Sequence, residues 1–261
     1  MIPLFFGDAN KPLFGIHHQP TASSQLQDTS IVLCNPIGFE YGRTHSVIGY
    51  LAKKLAAKGY HVLRFDYYAT GDSSGNSEDI SIEQCIKDIV LSCDEIKTIS
   101  ATRKVSVVGY RYGALLAAFA SEHYKFSRLI MWDPIVDGET YLNDLQKIHN
   151  NMLTNPNRFD LNFLSNTTSP SELIGHYFSE NLREKIKSLN LADLEKIKTK
   201  RIDIFSYSDS YNAESLINEN TFLSKATMHK FDIVSDWNDS NKIETKMLPD
   251  SSIETILEVI G

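Results

Sequence analysis

The sequence predicts an α/β protein with a mostly parallel central sheet, helices on both faces and a helical insertion between two strands. Apolar runs and one-sided apolar stripes alternate from about residue 30 to the end of the chain. The segments between successive runs are long enough for right-handed crossovers, which join parallel strands. A polar stretch rich in Asn, Ser and Thr interrupts this alternation between about residues 137 and 198.

The first half of the chain supplies strands and helices in a regular order. One or two antiparallel edge strands are expected in PLFGIHHQP. Strand SIVLCNP, helix THSVIGYLAKKLAAKGY, strand HVLRFDY, helix SIEQCIKDIVLSCDEI, strand KVSVVGY, helix GALLAAFASEHY and strand RLIMWDPI follow. Continuous apolar runs are typical of strands that are buried on both faces. The helices carry apolar residues at helical spacing, with Ser81 as an expected N-cap and Gly59 as a C-terminal stop.

The second half contains the insertion and the remaining strands. Helical pieces are expected within the insertion at ELIGHYF and LREKIKSLNLADLEKIK. The alternation then resumes with strand RIDIFSYS, helix AESLINENTFL, strand ATMHKFDIV and helix SSIETILEVI. We therefore expect residues 1–136 and 199–261 to form one core, and residues 137–198 to form a cap or lid.

Composition restricts the classes of partner. The chain is 42% hydrophobic and 23% charged, as in ordinary globular proteins. Its net charge of −7 and its lack of a long basic run make nucleic acid an unexpected partner. MIPLFFGDANKP lacks the basic and apolar regions of a secretory signal, so this segment is not expected to be one. No apolar run approaches the roughly 20 residues that span a bilayer. Cys34, Cys85 and Cys93 fall in apolar patterns, which favours reduced core cysteines in a soluble, cytoplasmic protein. The sequence leaves the oligomeric state open.

Four segments resemble the α/β-hydrolase fold. NPIGFEYGRTHS follows an apolar strand, where that fold builds its oxyanion hole, and RFDYYATGDSSG is similar to its D-x-x-G-x-G-x-S turn, with Ala69 replacing the first glycine. GYRYGALLAA stands where the fold has its nucleophile elbow, and MWDPIVDGETYL leads into the cap. The last two segments look most like the exosortase A system-associated hydrolase-like subgroup, in which Arg often occupies the elbow. That resemblance implies an exopolysaccharide or cell-envelope context.

The central residue of the elbow is Arg111 rather than a serine. The elbow is a sharp turn from a strand into a helix, which lifts one side chain above the sheet. Gly109 and Gly113 retain the small residues that this turn requires, so we expect the turn to form. A guanidinium stays protonated and has no nucleophilic lone pair, and Arg111 therefore cannot form an acyl-enzyme.

Two interpretations of Arg111 remain open at this point. In the first, Arg111 pairs with a nearby carboxylate, for which Glu40, Asp133 and Asp209 are the candidates. In the second, Arg111 and the N-terminus of the following helix bind an anionic ligand, because both present hydrogen-bond donors and positive charge.

The resemblance also implies positions for an acid and a histidine. Asp209 follows the strand after the insertion, where the acid of the fold is expected. The loop after the last strand, VSDWNDSNK, contains no histidine, and His229 lies within the preceding strand pattern, where a structural role is expected. His45 follows the oxyanion loop and could point at the site. The candidate catalytic residues are Arg111, Asp209, Glu40 and His45, and the candidate ligand-binding residues are Ile37, Tyr110, Tyr112 and His176.

Two classes of function follow from these residues. The chain is either an atypical hydrolase or acyltransferase acting on an acyl or other anionic small molecule, or a non-catalytic pseudoenzyme that binds a ligand or a partner. A lyase or isomerase is a weaker third possibility, and the fold alone cannot decide among them. His17 and His18 have no second group of ligands at metal spacing, so we expect no metal, and no motif suggests a cofactor.

Overall fold

A computed structural model describes most of the chain, namely residues 1–21, 24–155, 171–208, 220, 223–239 and 241–261. Ten strands lie within this part: β1 Ile2–Phe6, β2 Leu13–His18, β3 Thr29–Cys34, β4 Val62–Phe65, β5 Lys104–Tyr110, β6 Arg128–Trp132, β7 Glu172–Leu173, β8 His176–Tyr177, β9 Ile202–Ser206 and β10 Thr227–Lys230. The α-helices there are α1 Phe39–Ala57, α2 Ile82–Ser100, α3 Tyr112–His123, α4 Gly138–Leu153, α5 Glu180–Lys187 and α6 Ser251–Ile260. The helix expected in AESLINENTFL falls almost wholly outside the described residues.

Eight of these strands form the central sheet, in the order β1-β2-β4-β3-β5-β6-β9-β10. Strands β1 and β2 are antiparallel additions at one edge, and every pairing from β4 to β10 is parallel. The predicted fold class is therefore confirmed, as is the antiparallel edge expected near the start of the chain. The carboxyl ends of β3, β5, β6 and β9 meet at one edge of the sheet, where α/β proteins place their sites.

Both faces of the sheet are covered by apolar helices. Val107 of β5 packs with α2 and α3 on one face, whereas its neighbour Val108 packs with α1 and α6 on the other. This division follows from the pleat, which sends successive side chains to opposite faces. The three cysteines are buried and unpaired, as expected of core residues. No helix among the described residues is both long and apolar enough to cross a membrane.

The segment between β6 and β9 differs from its prediction at ELIGHYF. A helix was expected there, but residues 172–177 form a two-stranded antiparallel hairpin made of β7 and β8. Ile174 and Gly175 link the two strands with φ values of 51° and 76°. Two consecutive residues with positive φ form the tight turn that matches the twist of a hairpin, and such a turn stops a helix.

Helix α4 begins at a well-defined cap and packs tightly against α5. The Asp137 side chain accepts a hydrogen bond from the Thr140 N–H at 2.7 Å, which satisfies one of the free donors of the first turn. A methyl group on Gly138 would lie 1.8 Å from the Ile186 carbonyl oxygen. Only a glycine therefore allows the two helices to approach this closely. The cap and this contact fix the direction in which α4 crosses the carboxyl edge of the sheet.

Two buried histidines on β2 predict a stability that depends on pH. Burial is the main cause that lowers the pKa of His17 and of His18 from 6.5 to about 4. Between pH 6.5 and about pH 4 the unfolded chain therefore binds protons that the folded chain does not. Because a lowered pKa contributes stability only above that range, the unfolding temperature is expected to fall as the pH falls through it.

The contribution of His18 to this pH dependence can be tested with His18→Gln. In the wild type, Arg64 Nε donates a hydrogen bond to His18 Nε2 at 3.2 Å, and glutamine keeps an acceptor for it. Unfolding measured across this pH range should show a slope reduced by up to one proton, while His123→Gln, at an exposed position, should keep the wild-type slope. An unchanged slope in His18→Gln would contradict this assignment.

Candidate active site

The turn between β5 and α3 has the geometry that the flanking glycines predict. Arg111 occupies its tip with φ 53° and ψ −119°, a strained conformation for a residue with a side chain. Its N–H donates to the Trp132 carbonyl oxygen at 2.9 Å, which ties the tip to β6. A methyl group on Gly109 would lie 2.5 Å from Ala114 Cα, and one on Gly113 would lie 2.3 Å from the Cys34 carbonyl oxygen. The elbow is therefore built even though no serine occupies it.

The guanidinium of Arg111 lies between two buried carboxylates. Its Nη2 and Nε donate to Glu40 Oε1 at 3.1 and 3.2 Å, and its Nη1 donates to Asp133 Oδ2 at 3.2 Å. The side chains of Glu40 and Asp133 are each only 1% exposed. Glu40 belongs to the first turn of α1, and Asp133 directly follows β6. Two of the three carboxylates proposed as partners of Arg111 thus occupy its donors.

A tryptophan from the loop after β10 completes this group. Trp237 Nε1 donates to Asp133 Oδ2 at 2.8 Å, and the Trp237 ring lies 4.6 Å from Arg111 Cζ in a cation–π contact. In the α/β-hydrolase fold this loop carries the catalytic histidine, according to the resemblance drawn from the sequence. Trp237 therefore stands in the region of the histidine and holds a carboxylate as an indole donor, but it cannot transfer a proton as an imidazole does.

Electrostatics keep Arg111 charged at every accessible pH. Burial alone lowers the pKa of Arg111, but Glu40 and Asp133 together raise it above its usual value. Burial raises the pKa of Glu40, although Arg111 opposes that shift. The Tyr141 hydroxyl lies close to the Glu40 carboxyl and, like Arg111, acts to lower the pKa of Glu40. The charge of Arg111 is thus compensated by direct contact with its neighbours.

A cavity of about 100 Å³ lies above this group, under α4. Its wall combines Glu40, Arg111, Tyr141 and Trp237 with apolar side chains of α4 and of the loop that follows β6. Neither Glu40 Oε2 nor the Tyr141 hydroxyl makes a hydrogen bond of ordinary geometry with any residue in the described ranges. The cavity therefore has room for a small group or an ordered solvent molecule beside polar atoms.

Tyr110 and Tyr112 flank Arg111 in the chain, but both side chains are buried in the core. Tyr110 stacks on Trp132 at 4.1 Å between ring centroids within the core on the α1 side of the sheet, and Tyr112 stacks on Tyr141 at 5.7 Å. Neither Tyr110 nor Tyr112 lines the cavity above Arg111, contrary to expectation. The reason is that the turn raises only its central residue, so the residues that flank it point back into the core.

His45, Ile37 and His176 do not line this cavity. His45 is exposed on α1 and contacts the edge of the Tyr41 ring at 5.7 Å. Ile37 and His176 line a second cavity of about 230 Å³ between the loop before α1 and the β7–β8 hairpin. Asp209 lies outside the described residues. Of the proposed catalytic residues, the structure brings together Arg111 and Glu40.

Two groups that shape the site were not singled out from the sequence as site residues. A tryptophan belongs to no catalytic motif, so the sequence of VSDWNDSNK indicates only the lack of a histidine. Tyr141 falls at a helical position that is typical of the core. For Trp237 the available signal was its presence in the loop where the fold implies a histidine.

The fold and the elbow place this protein in the class with the α/β-hydrolase fold. Residues 28–187, more than half of the chain, match the model of the family described as serine aminopeptidase, S33. The chain belongs to this family. A search of curated proteins found no match.

Solved structures agree on the fold. Est1E from Butyrivibrio proteoclasticus bound to ferulic acid is 15% identical, with a TM-score of 0.64 over 98% of this chain and 99% of that chain. A serine hydrolase homologue from Coxiella burnetii is 12% identical, with a TM-score of 0.60 over 100% and 97%. Mouse alpha/beta hydrolase domain-containing protein 10 is 15% identical, with a TM-score of 0.59 over 100% and 98%. At such identities the likeness shows the fold alone.

Proposed function

We propose that this chain is a pseudoenzyme of the α/β-hydrolase fold, which binds a small molecule and performs no covalent acyl chemistry. The observation that carries the proposal is Arg111 at the tip of the elbow, held by Glu40 and Asp133 beneath the ring of Trp237. A nucleophile must reach a substrate carbonyl, whereas this guanidinium has no lone pair and its donors face carboxylates. Trp237 in the histidine loop removes the general base as well.

A ligand-binding role is favoured over a decayed site because the cavity persists. Helix α4 covers the carboxyl edge of the sheet and leaves about 100 Å³ above Arg111. We propose that residues 137–198 act as a cap over this space. An anion placed directly on Arg111 would meet Glu40 and Asp133 first, so a site centred on Arg111 is disfavoured.

Two finer assignments accompany this proposal. The pairing of GYRYGALLA with WDPIVDGETYL supports membership of the exosortase A system-associated subgroup, and with it a cell-envelope context. The buried, unpaired cysteines support a cytoplasmic location.

The absence of a nucleophile is tested with a fluorophosphonate probe, which labels activated serines. We expect no labelling, and no saturable hydrolysis of p-nitrophenyl acetate beyond the uncatalysed rate, because the elbow holds no hydroxyl. A serine hydrolase of the same fold, labelled in parallel, provides the positive control. Stoichiometric labelling of the wild-type chain, or saturable turnover, would overturn the proposed function.

A further inference from the structure

A second arginine in the same region lacks the ion pairs that Arg111 has. Arg43 lies one turn after Glu40 on α1 and is only 4% exposed. Its Nε donates to the Thr245 carbonyl oxygen at 3.2 Å, and its Cζ lies 5.1 Å from the centre of the Trp237 ring. No carboxylate of the described chain approaches Arg43 within ion-pair distance, and its Nη1 is buried without a hydrogen-bond partner there.

An uncompensated buried guanidinium is costly. Burial lowers the pKa of Arg43, and the more distant Glu40 only partly opposes this shift. Arg43 and Arg111 lie over the same tryptophan ring, yet only Arg111 has carboxylates in contact with it. Buried charges are normally paired, so an unpaired one in the wall of a cavity indicates a ligand of opposite charge.

Arg43 lines such a cavity, which has a volume of about 500 Å³ and lies between α1, the β7–β8 hairpin and the loop before α6. This volume falls within the range of about 300 to 1,000 Å³ that is usual for small-molecule sites. Its charged lining residues are Arg43, Lys246, Glu172 and Glu244, and its apolar ones are Phe39, Met152, Ile174 and Ile243. Phe39 lines both this outer cavity and the inner one above Arg111.

We propose that this outer cavity binds an anionic small molecule whose carboxylate or phosphate group contacts the Arg43 guanidinium, with Lys246 as a second cation. Its apolar part packs against Phe39 and Ile243. The planar guanidinium suits an oxyanion because it offers paired donors. This inference rests on the proposed function. It places the anion at Arg43, whereas the sequence suggested an anion at Arg111.

Calorimetry with benzoate and inorganic phosphate tests this site, with benzamide as the uncharged analogue of benzoate. The ionic strength is held constant, because exposed charges respond to salt. We expect at least one of the two anions to bind, and benzamide to bind about tenfold more weakly than benzoate. Failure of both anions to bind, or equal measurable affinities for benzoate and benzamide, would refute the inference.

Variants assign the binding to Arg43. Arg43→Gln should weaken anion binding about tenfold, and Arg43→Lys should weaken it less, because lysine keeps the charge but not the paired donors. Lys246→Gln, at an exposed position that tolerates substitution, should give a smaller loss and covers the case in which Arg43→Gln does not fold. Arg103→Gln removes an exposed arginine that pairs with Asp28 and should leave the affinity unchanged.

The outcomes separate this inference from the function on which it rests. In a chain that fluorophosphonate does not label, an unchanged anion affinity in folded Arg43→Gln overturns the anion site and leaves the pseudoenzyme standing. If Arg43→Gln does not fold, an unchanged affinity in Lys246→Gln has the same meaning. Labelling by fluorophosphonate overturns the pseudoenzyme, whatever the calorimetry shows.

Discussion

Arg111→Ala is expected to lower the free energy of unfolding by about 3–5 kcal/mol, the usual consequence of removing one partner from a buried ion pair. The variant leaves Glu40 and Asp133, each 1% exposed, without their cation. The loss should increase with pH. Burial already raises the pKa of Glu40 in the wild type, and without Arg111 it rises further above its unfolded value. A raised carboxyl pKa contributes stability that is lost as the pH rises through it.

Urea unfolding of Arg111→Ala, compared with the wild type at a series of increasing pH values, provides the measurement. A matched control is the triple variant Arg111→Met with Glu40→Gln and Asp133→Asn, which removes all three charges together. Replacement of a buried ionic group by uncharged side chains is often nearly neutral, so the triple variant should recover much of the lost stability. A loss below about 1 kcal/mol in Arg111→Ala would mean that the carboxylates are not held as the structure shows.

Gly113→Ala is expected to destabilise the fold by about 3 kcal/mol or more, at the upper end of the cost of overpacking. The new methyl group would lie 2.3 Å from the Cys34 carbonyl oxygen and 2.5 Å from that of Asn35. Both oxygens belong to the backbone at the end of β3, and neither can turn away as a side chain would. The steric clash could be removed only if α3 moved away from the sheet.

Gly42→Ala is the matched control, because it places the same methyl group in an exposed part of α1. Beyond the neighbouring backbone of α1 itself, no atom of the described residues lies within 4 Å of that methyl group, and alanine favours a helix over glycine by about 1 kcal/mol. Chemical denaturation should therefore show a gain at position 42 and a large loss at position 113. A Gly113→Ala chain as stable as the wild type would refute the close approach of α3 to β3.

The parallel sheet and most of its helices were predictable because their signals are local and repeated. Continuous apolar runs and helical stripes hold from β3 to β6 and again at β9 and α6. The hairpin at residues 172–177 was missed because an apolar segment of seven letters fits either a helix or a strand. The positive φ of Ile174 decides between the two. Because β-branched residues rarely adopt a positive φ, the sequence does not predict a turn at this residue.

Only part of the site was predictable from the sequence. The identity of residue 111 alone shows that the elbow carries an arginine instead of a nucleophile. Glu40 and Asp133 were among the partners proposed for Arg111. The part played by Trp237 depends on a tertiary contact, since its loop folds back on α1, where the Met247 N–H donates to the Arg43 carbonyl oxygen at 2.9 Å. The same fold decides which arginine is paired and which is not, and no sequence spacing carries that information.

The ion pairs of Arg111 also determine whether the residues of this site can be exchanged one at a time. A single change of Arg111 to serine would restore the nucleophile's position but strand two buried carboxylates, at a cost comparable to much of a domain's stability. A histidine in place of Trp237 would meanwhile remove a donor from Asp133. Each substitution towards a serine–histidine pair is penalised until the others are made. The cluster thus locks these positions together, although the strained turn at Arg111 already has the geometry that a nucleophile would need.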